Sequence, residues 1–228
     1  MPASPEEITR RADMLYAARE ETENVRASLG LLQGVLAPPD YEVLWRQARA
    51  LFFLGQEAQH SVDARSYHAR GVQASGRAAR LEPARVEGHF WLGVNAALLA
   101  RLENPFRALR HALRARRELE RAARIDAAYH AAGPLRVLGR LQHKLPRFLG
   151  GGRERARASL QRAIEIAPAN TVTRLYFAEM LLETGDADQA RLQLETILKA
   201  PPDPAWMFEI KRDQRLAREM LEKMELKR

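Results

Sequence analysis

Residues 171–202 read TVTRLYFAEMLLETGDADQARLQLETILKAPP, a pattern of two short helices meeting at a tight turn. Leu175, Ala178, Leu181 and Leu182 recur at three- and four-residue spacing, which predicts a helix over Thr171–Thr184 with one apolar stripe. Gly185-Asp186 is a stop and a turn, because glycine takes the backbone angles that end a helix. Ala190, Leu194, Ile197 and Leu198 then form the stripe of a second helix, Ala187–Lys199, which Pro201-Pro202 terminates. The distance from Pro168 to Pro202 is 34 residues.

The helix–turn–helix form, the Gly-Asp turn, the early alanine and the closing proline resemble the tetratricopeptide repeat. The rest of the chain can be phased from it. Gly151, Ala156, Leu160 and Ala163 precede Pro168 at the offsets that Gly185, Ala190, Leu194 and Ile197 keep from Pro202. Val137-Leu138-Gly139 resembles the Leu-Gly pair of a tetratricopeptide first helix, and Lys144–Phe148 swells the turn that follows. His89, Leu92 and Gly93 open another unit closing at Asp126. Trp45, Phe52 and Gly55 open one closing at Pro83. Ala12, Leu15, Tyr16, Ala27, Leu31 and Pro39 give a degenerate first repeat. The expectation is an all-α chain: a TPR-like right-handed superhelix of about five helix pairs with a C-terminal capping helix. It is read as one domain over 1–228, with repeats at roughly 8–41, 42–85, 86–129, 130–170 and 171–204 and the cap at 205–227.

A narrower resemblance follows from three consecutive stretches. They are Ala131-Ala132-Gly133-Pro134-Leu135-Arg136-Val137-Leu138-Gly139-Arg140, then Leu145-Pro146-Arg147-Phe148-Leu149-Gly150-Gly151, then Ala163-Ile164-Glu165-Ile166-Ala167-Pro168. Together they resemble the TatT component family of TRAP-type transporters. The resemblance implies a bacterial periplasmic helical repeat protein that associates with solute-binding subunits.

Composition narrows the classes. The 228 residues include no cysteine, which excludes a disulfide framework, a thiolate metal site and a cysteine nucleophile. No apolar run reaches the roughly 18 residues of a membrane span. The start, Met1 to Glu7, lacks a basic-then-apolar leader, so the location as the sequence stands is cytoplasmic, and periplasmic if an export signal was removed. Charge is uneven: residues 101–162 carry 16 basic and 5 acidic side chains, a net of +11, whereas the whole chain is +8. Such a field favours anionic partners, unless it is simply a solvated basic surface.

No residues suggest catalysis. His60 and His68 are the only histidines near helical spacing of each other, and no His-Glu-x-x-His pair exists, so neither metal nor cofactor is expected. Gly150-Gly151-Gly152-Arg153 has the look of a phosphate cradle, but no strand precedes it, and an inter-helix turn is the plainer reading.

Two binding surfaces are expected. One is a groove along the first helices, lined by Arg46, Phe53, Phe90, Arg136, Arg140, His143, Lys144, Leu175 and Glu179. An apolar wall flanked by cations would suit an acidic peptide or a small amphipathic carboxylate. The other is a stripe of Arg107, Arg110, Arg114, Arg117, Arg121 and Arg124, spaced 3, 4, 3, 4, 3 and lying within about a 100° arc. The leading expectation is a non-catalytic protein-binding scaffold that uses the concave face of the superhelix, and the alternative is a small-ligand-binding accessory component of a TRAP-type transport system. Nucleic-acid binding is weaker, because residues 101–162 offer only Phe106, Tyr129 and Phe148 for stacking. A homo-oligomer is compatible with this pattern.

Overall fold

The computed structural model describes residues 4–35 and 40–226; Met1, Pro39 and the last position of the expected cap, Lys227, lie outside them. Among the described residues every regular element is helical. The α-helices are α1 (Pro5–Ala17), α2 (Thr22–Gln33), α3 (Tyr41–Gln56), α4 (Ser61–Leu81), α5 (Val86–Ala100), α6 (Pro105–Ile125), α7 (Tyr129–Lys144), α8 (Arg153–Ile166), α9 (Thr171–Glu183), α10 (Ala187–Leu198) and α11 (Met207–Glu225). Sequence neighbours pack as five pairs, and α11 covers α9 and α10 as the cap. The cap helix starts two residues later than the expected 205, with Trp206 at its N-cap.

Helix starts follow local chemistry. Ser4, Asp40, Asn104 and Asn170 each accept a hydrogen bond from the amide three residues on, which satisfies a donor that the helix itself cannot. Pro5 and Pro105 occupy the first turns of α1 and α6, where a missing N–H costs nothing.

The chain forms two compact units, Met1–Asp126 and Ala127–Arg228. In the first, the fully buried Asn95 of α5 joins three helices. Its Nδ2 donates to the carbonyls of Ala48 at 3.1 Å and Trp91 at 2.9 Å, and its Oδ1 lies 3.2 Å from His68 Nδ1. Both amide hydrogens are committed, so His68 Nδ1 carries the proton of that bond. Burial lowers the His68 pKa below its ordinary value, outweighing the hydrogen bond to Asn95.

Pair closure repeats in both units. A Cβ on Gly93 would come within 2.6 Å of Leu119 Cγ, and one on Gly139 within 2.7 Å of Leu160 Cγ. The Ala115 and Ala156 carbonyls stand 3.3 Å from the same two points. The last pair has Ala178 and Leu194 in one buried cluster. Thus the small residue on the first helix and the Ala-x-x-x-Leu of the second are one device used three times.

Gly93→Val and Gly139→Val should each lose about 2–3 kcal/mol in urea unfolding, the cost of forcing volume into a packed contact. Gly30→Ala, with nothing within 4 Å, should gain up to about 1 kcal/mol from helix propensity. The pH dependence has a definite sign. A base whose folded pKa is lowered binds protons better when unfolded. Its stabilising effect is therefore full above the unfolded value, about pH 6.5, and is lost as pH falls from there through the folded value. His68→Gln should flatten this slope while lowering stability at about pH 7.5, where wild-type His68 is neutral in both states.

Candidate functional site

The TatT-like stretch 131–140 builds an uncommon local structure in the second unit. His130, Ala131 and Ala132 have φ values of 52°, 53° and 57°, a full left-handed turn without a glycine. Each such residue costs roughly 1–2 kcal/mol, because Cβ crowds the following carbonyl oxygen. Right-handed helix resumes at Gly133-Pro134, where proline needs no hydrogen-bond partner.

Arg136 holds the turn. Its Nη1 donates to the carbonyl oxygens of Ala131 at 2.8 Å and His130 at 3.3 Å, and to Asn170 Oδ1 at 3.4 Å. The side chain is buried, and that burial pushes its pKa down to about 10. The guanidinium also lies 5.5 Å from the Trp206 ring, and the His130 ring meets Trp206 edge-on at 4.9 Å. Asn170 caps α9 while it supports Arg136, accepting from Thr173 N at 3.0 Å and Thr173 Oγ1 at 2.9 Å. Thr171 donates at 2.7 Å to Asp213 of α11, a fully buried carboxylate that Arg212 pairs with at 2.7 Å. Burial raises the Asp213 pKa.

A cleft of about 390 Å³ opens beside this assembly, lined by Ala131, Pro168, Asn170, Pro202, Trp206 and Ile210 among others. Its wall is mostly proline and alanine. Among the described residues the Trp206 indole N–H has no hydrogen-bond acceptor.

The expected groove residues divide sharply. Arg140 pairs with Glu179, and His143 and Lys144 reach Glu183 at 3.0 Å and 2.5 Å, a charge ladder between α7 and α9. Burial lowers the His143 pKa despite the neighbouring Glu183 carboxylate. Arg46 is spent on Asp13 and Glu42 and lies 4.2 Å from the Trp45 ring. Phe53, Phe90, Leu175 and Arg136 stand at 3%, 2%, 3% and 4% exposure, which corrects the expectation that they line an open wall. First helices here contact neighbours on more than one side, as α3 does with α4 and α5, so little apolar surface remains free.

The glycine run is a turn. Gly151 N donates to the Pro146 carbonyl at 3.0 Å and Gly152 N to that of Gln142 at 2.9 Å, so these amides are not offered to a phosphate. Among the described residues no His, Asp or Glu cluster could hold a metal ion, and no helix is long and apolar enough to cross a membrane.

Paired helices with a capping helix define the class: a TPR-like helical repeat protein. A solved structure of a thermophilic TPR protein from Thermus thermophilus superposes with a TM-score of 0.71 at 22% identity, covering 94% of this chain and 98% of that one. The family model of the TRAP transporter T-component matches residues 42–226, and the chain belongs to that family. No curated protein sequence matches it.

Two substitutions test the turn by equilibrium unfolding. Ala131→Gly should stabilise by up to about 1 kcal/mol, since glycine takes positive φ freely, whereas in a right-handed helix the same change costs about that much. Arg136→Met should lose about 2 kcal/mol and shift Trp206 fluorescence, because the turn's carbonyls lose their donor.

Proposed function

We propose that this chain is a non-catalytic accessory component of a TRAP-type transport system, and that the cleft of the second unit binds a small ligand there. One observation carries the reading. The residues that bear the family resemblance, 131–140, are used to hold a strained turn and a buried arginine against the cleft wall. Strain of that kind persists only where the surroundings enforce it, and it concentrates at ligand clamps. The proline and alanine wall suits an apolar body, and the indole N–H of Trp206 offers a donor to an acceptor on it. This reading puts the protein on the solute-binding side of the membrane, in the periplasm, rather than in the cytoplasm.

A second reading keeps the protein-binding scaffold. The α7–α9 ladder favours it, because Arg140 and Glu179 each retain 30% of their side-chain exposure and Lys144 retains 49%. The groove residues named from sequence would then act through this ladder rather than through Phe53, Phe90 and Leu175.

Ligand-observed NMR with branched-chain and aromatic carboxylates and their neutral amides separates the two. Trp206→Ala should weaken any true cleft ligand by about tenfold or more, the usual effect of removing an aromatic anchor. Binding unmoved by Trp206→Ala would remove the cleft reading. Loss of a co-purifying protein in Arg140→Ala/Lys144→Ala, but not in Trp206→Ala, would favour the scaffold.

A further inference from the structure

The first unit carries an arginine face that the cleft does not involve. Helix α6 buries Ala112, Ala115, Leu119 and Ala122 against its neighbours and turns the opposite side outward. Along that side Arg107, Arg110, Arg114, Arg117, Arg121 and Arg124 extend over about 25 Å at 1.5 Å per residue.

The face is poorly neutralised. Arg107 is 3.7 Å from Glu103, which Arg65 already engages at 2.9 Å. Arg117 is 3.3 Å from Glu118, which His89 already engages at 2.8 Å. Arg121 donates to the Pro83 carbonyl at 3.1 Å. Arg110, Arg114 and Arg124 form neither an ion pair nor a hydrogen bond with any described residue.

The crowding is greatest at Arg114. A Cβ built on Gly76 of α4 would meet Arg114 Nη2 at 3.2 Å and Arg80 Nη1 at 3.8 Å, so two cations from two helices converge above a glycine floor. Arg114 is half-buried, and burial, with repulsion from Arg117 and Arg80, lowers its pKa despite Glu118. A partly desolvated, unpaired arginine at the centre of a patch has the makings of an interface anchor. Phe106, 90% exposed, lies on the same arc at one end.

Charge demands an acidic partner, and the rest of the face narrows its kind. A bilayer-lying helix needs an apolar side for the lipid, and α6 has spent its own on packing. Single-stranded nucleic acid needs a series of stacking rings, and Phe106 is the one aromatic side chain of α6. A 3, 4, 3, 4, 3 spacing instead matches carboxylates repeating at i, i+3 and i+4 on a second helix. We infer that the α4–α6 arginine face docks an acidic helical segment of a partner protein, with Arg114 as its central anchor.

The test is fluorescence anisotropy at 50 and 200 mM salt, using a labelled 18-residue helical peptide with glutamates along one face. A scrambled peptide of equal charge serves as its control. Arg110→Gln/Arg114→Gln/Arg117→Gln should weaken binding by about tenfold or more. Arg155→Gln/Arg162→Gln/Arg215→Gln, which removes equal charge from exposed positions elsewhere, should change it by less than about twofold. Circular dichroism checks that each variant folds. Should the first triple fail that check, Arg110→Gln/Arg124→Gln removes two unpaired arginines and should weaken binding by about threefold. Equal losses from both triples, or equal affinity for the scrambled peptide, would reduce the face to general net charge and overturn the proposal. Tighter binding of a 20-nucleotide single strand or of phosphatidylserine vesicles through the same arginines would overturn it too.

Discussion

In three helix pairs the backbones meet at one spot, where a first-helix residue with little or no side chain receives a fully buried leucine. Gly93 meets Leu119, Gly139 meets Leu160, and Ala178 shares a cluster with Leu194. Close approach at that spot brings the flanking alanines within reach, and dispersion between many close atoms then holds the pair. Everything else is arranged around this contact. It fixes which side of each second helix is buried, and so fixes that the arginines of α6 face outward.

Apolar contacts of this kind do not specify orientation finely, and each unit adds a polar node that does. In the first unit Asn95 takes one helix's carbonyl, its own helix's carbonyl and a histidine of a third helix, leaving neither of its amide hydrogens unused. In the second unit Arg136 and Asn170 play the same part for α7 and α9. Buried polar groups are costly unless every partner is present, so a shifted packing would leave several groups bare at once. The nodes differ in chemistry. One is neutral and titrates through its histidine; the other is a charge kept inside the protein.

The helices were legible from spacing alone. Thr171–Thr184 and Ala187–Lys199 differ from the observed helices by one residue at the end, because Gly185 and Pro201 are unambiguous breakers. The shared offsets before Pro168 and Pro202 also marked the contact residues, since Leu160 and Leu194 turn out to be fully buried. The site was less legible. Arg140, His143, Lys144 and Glu179, read as groove residues, take part in ion pairs between α7 and α9. Phasing misplaced Phe53, Phe90 and Leu175, because periodicity in one helix says nothing about how many neighbours that helix has. Eleven of the fifteen residues of α5 are buried, which erases the stripe that phasing relies on. The left-handed turn left no mark at all. His130-Ala131-Ala132 is ordinary helix-forming sequence, and what bends it the other way is a guanidinium four to six residues further along.

That turn is, in effect, a receptor for a cation. Its carbonyl oxygens at 130 and 131 converge as those of an ion-binding loop would, and the cation they hold belongs to the same chain. Occupancy is therefore set by tether rather than by affinity. A ligand linked through a few residues is present at an effective concentration on the order of millimolar or above, whatever the solution contains. The turn is thus never empty while the helix that follows it stands, and its geometry is inherited from the integrity of α7. A molecule entering the cleft meets a wall that is already set before the molecule arrives.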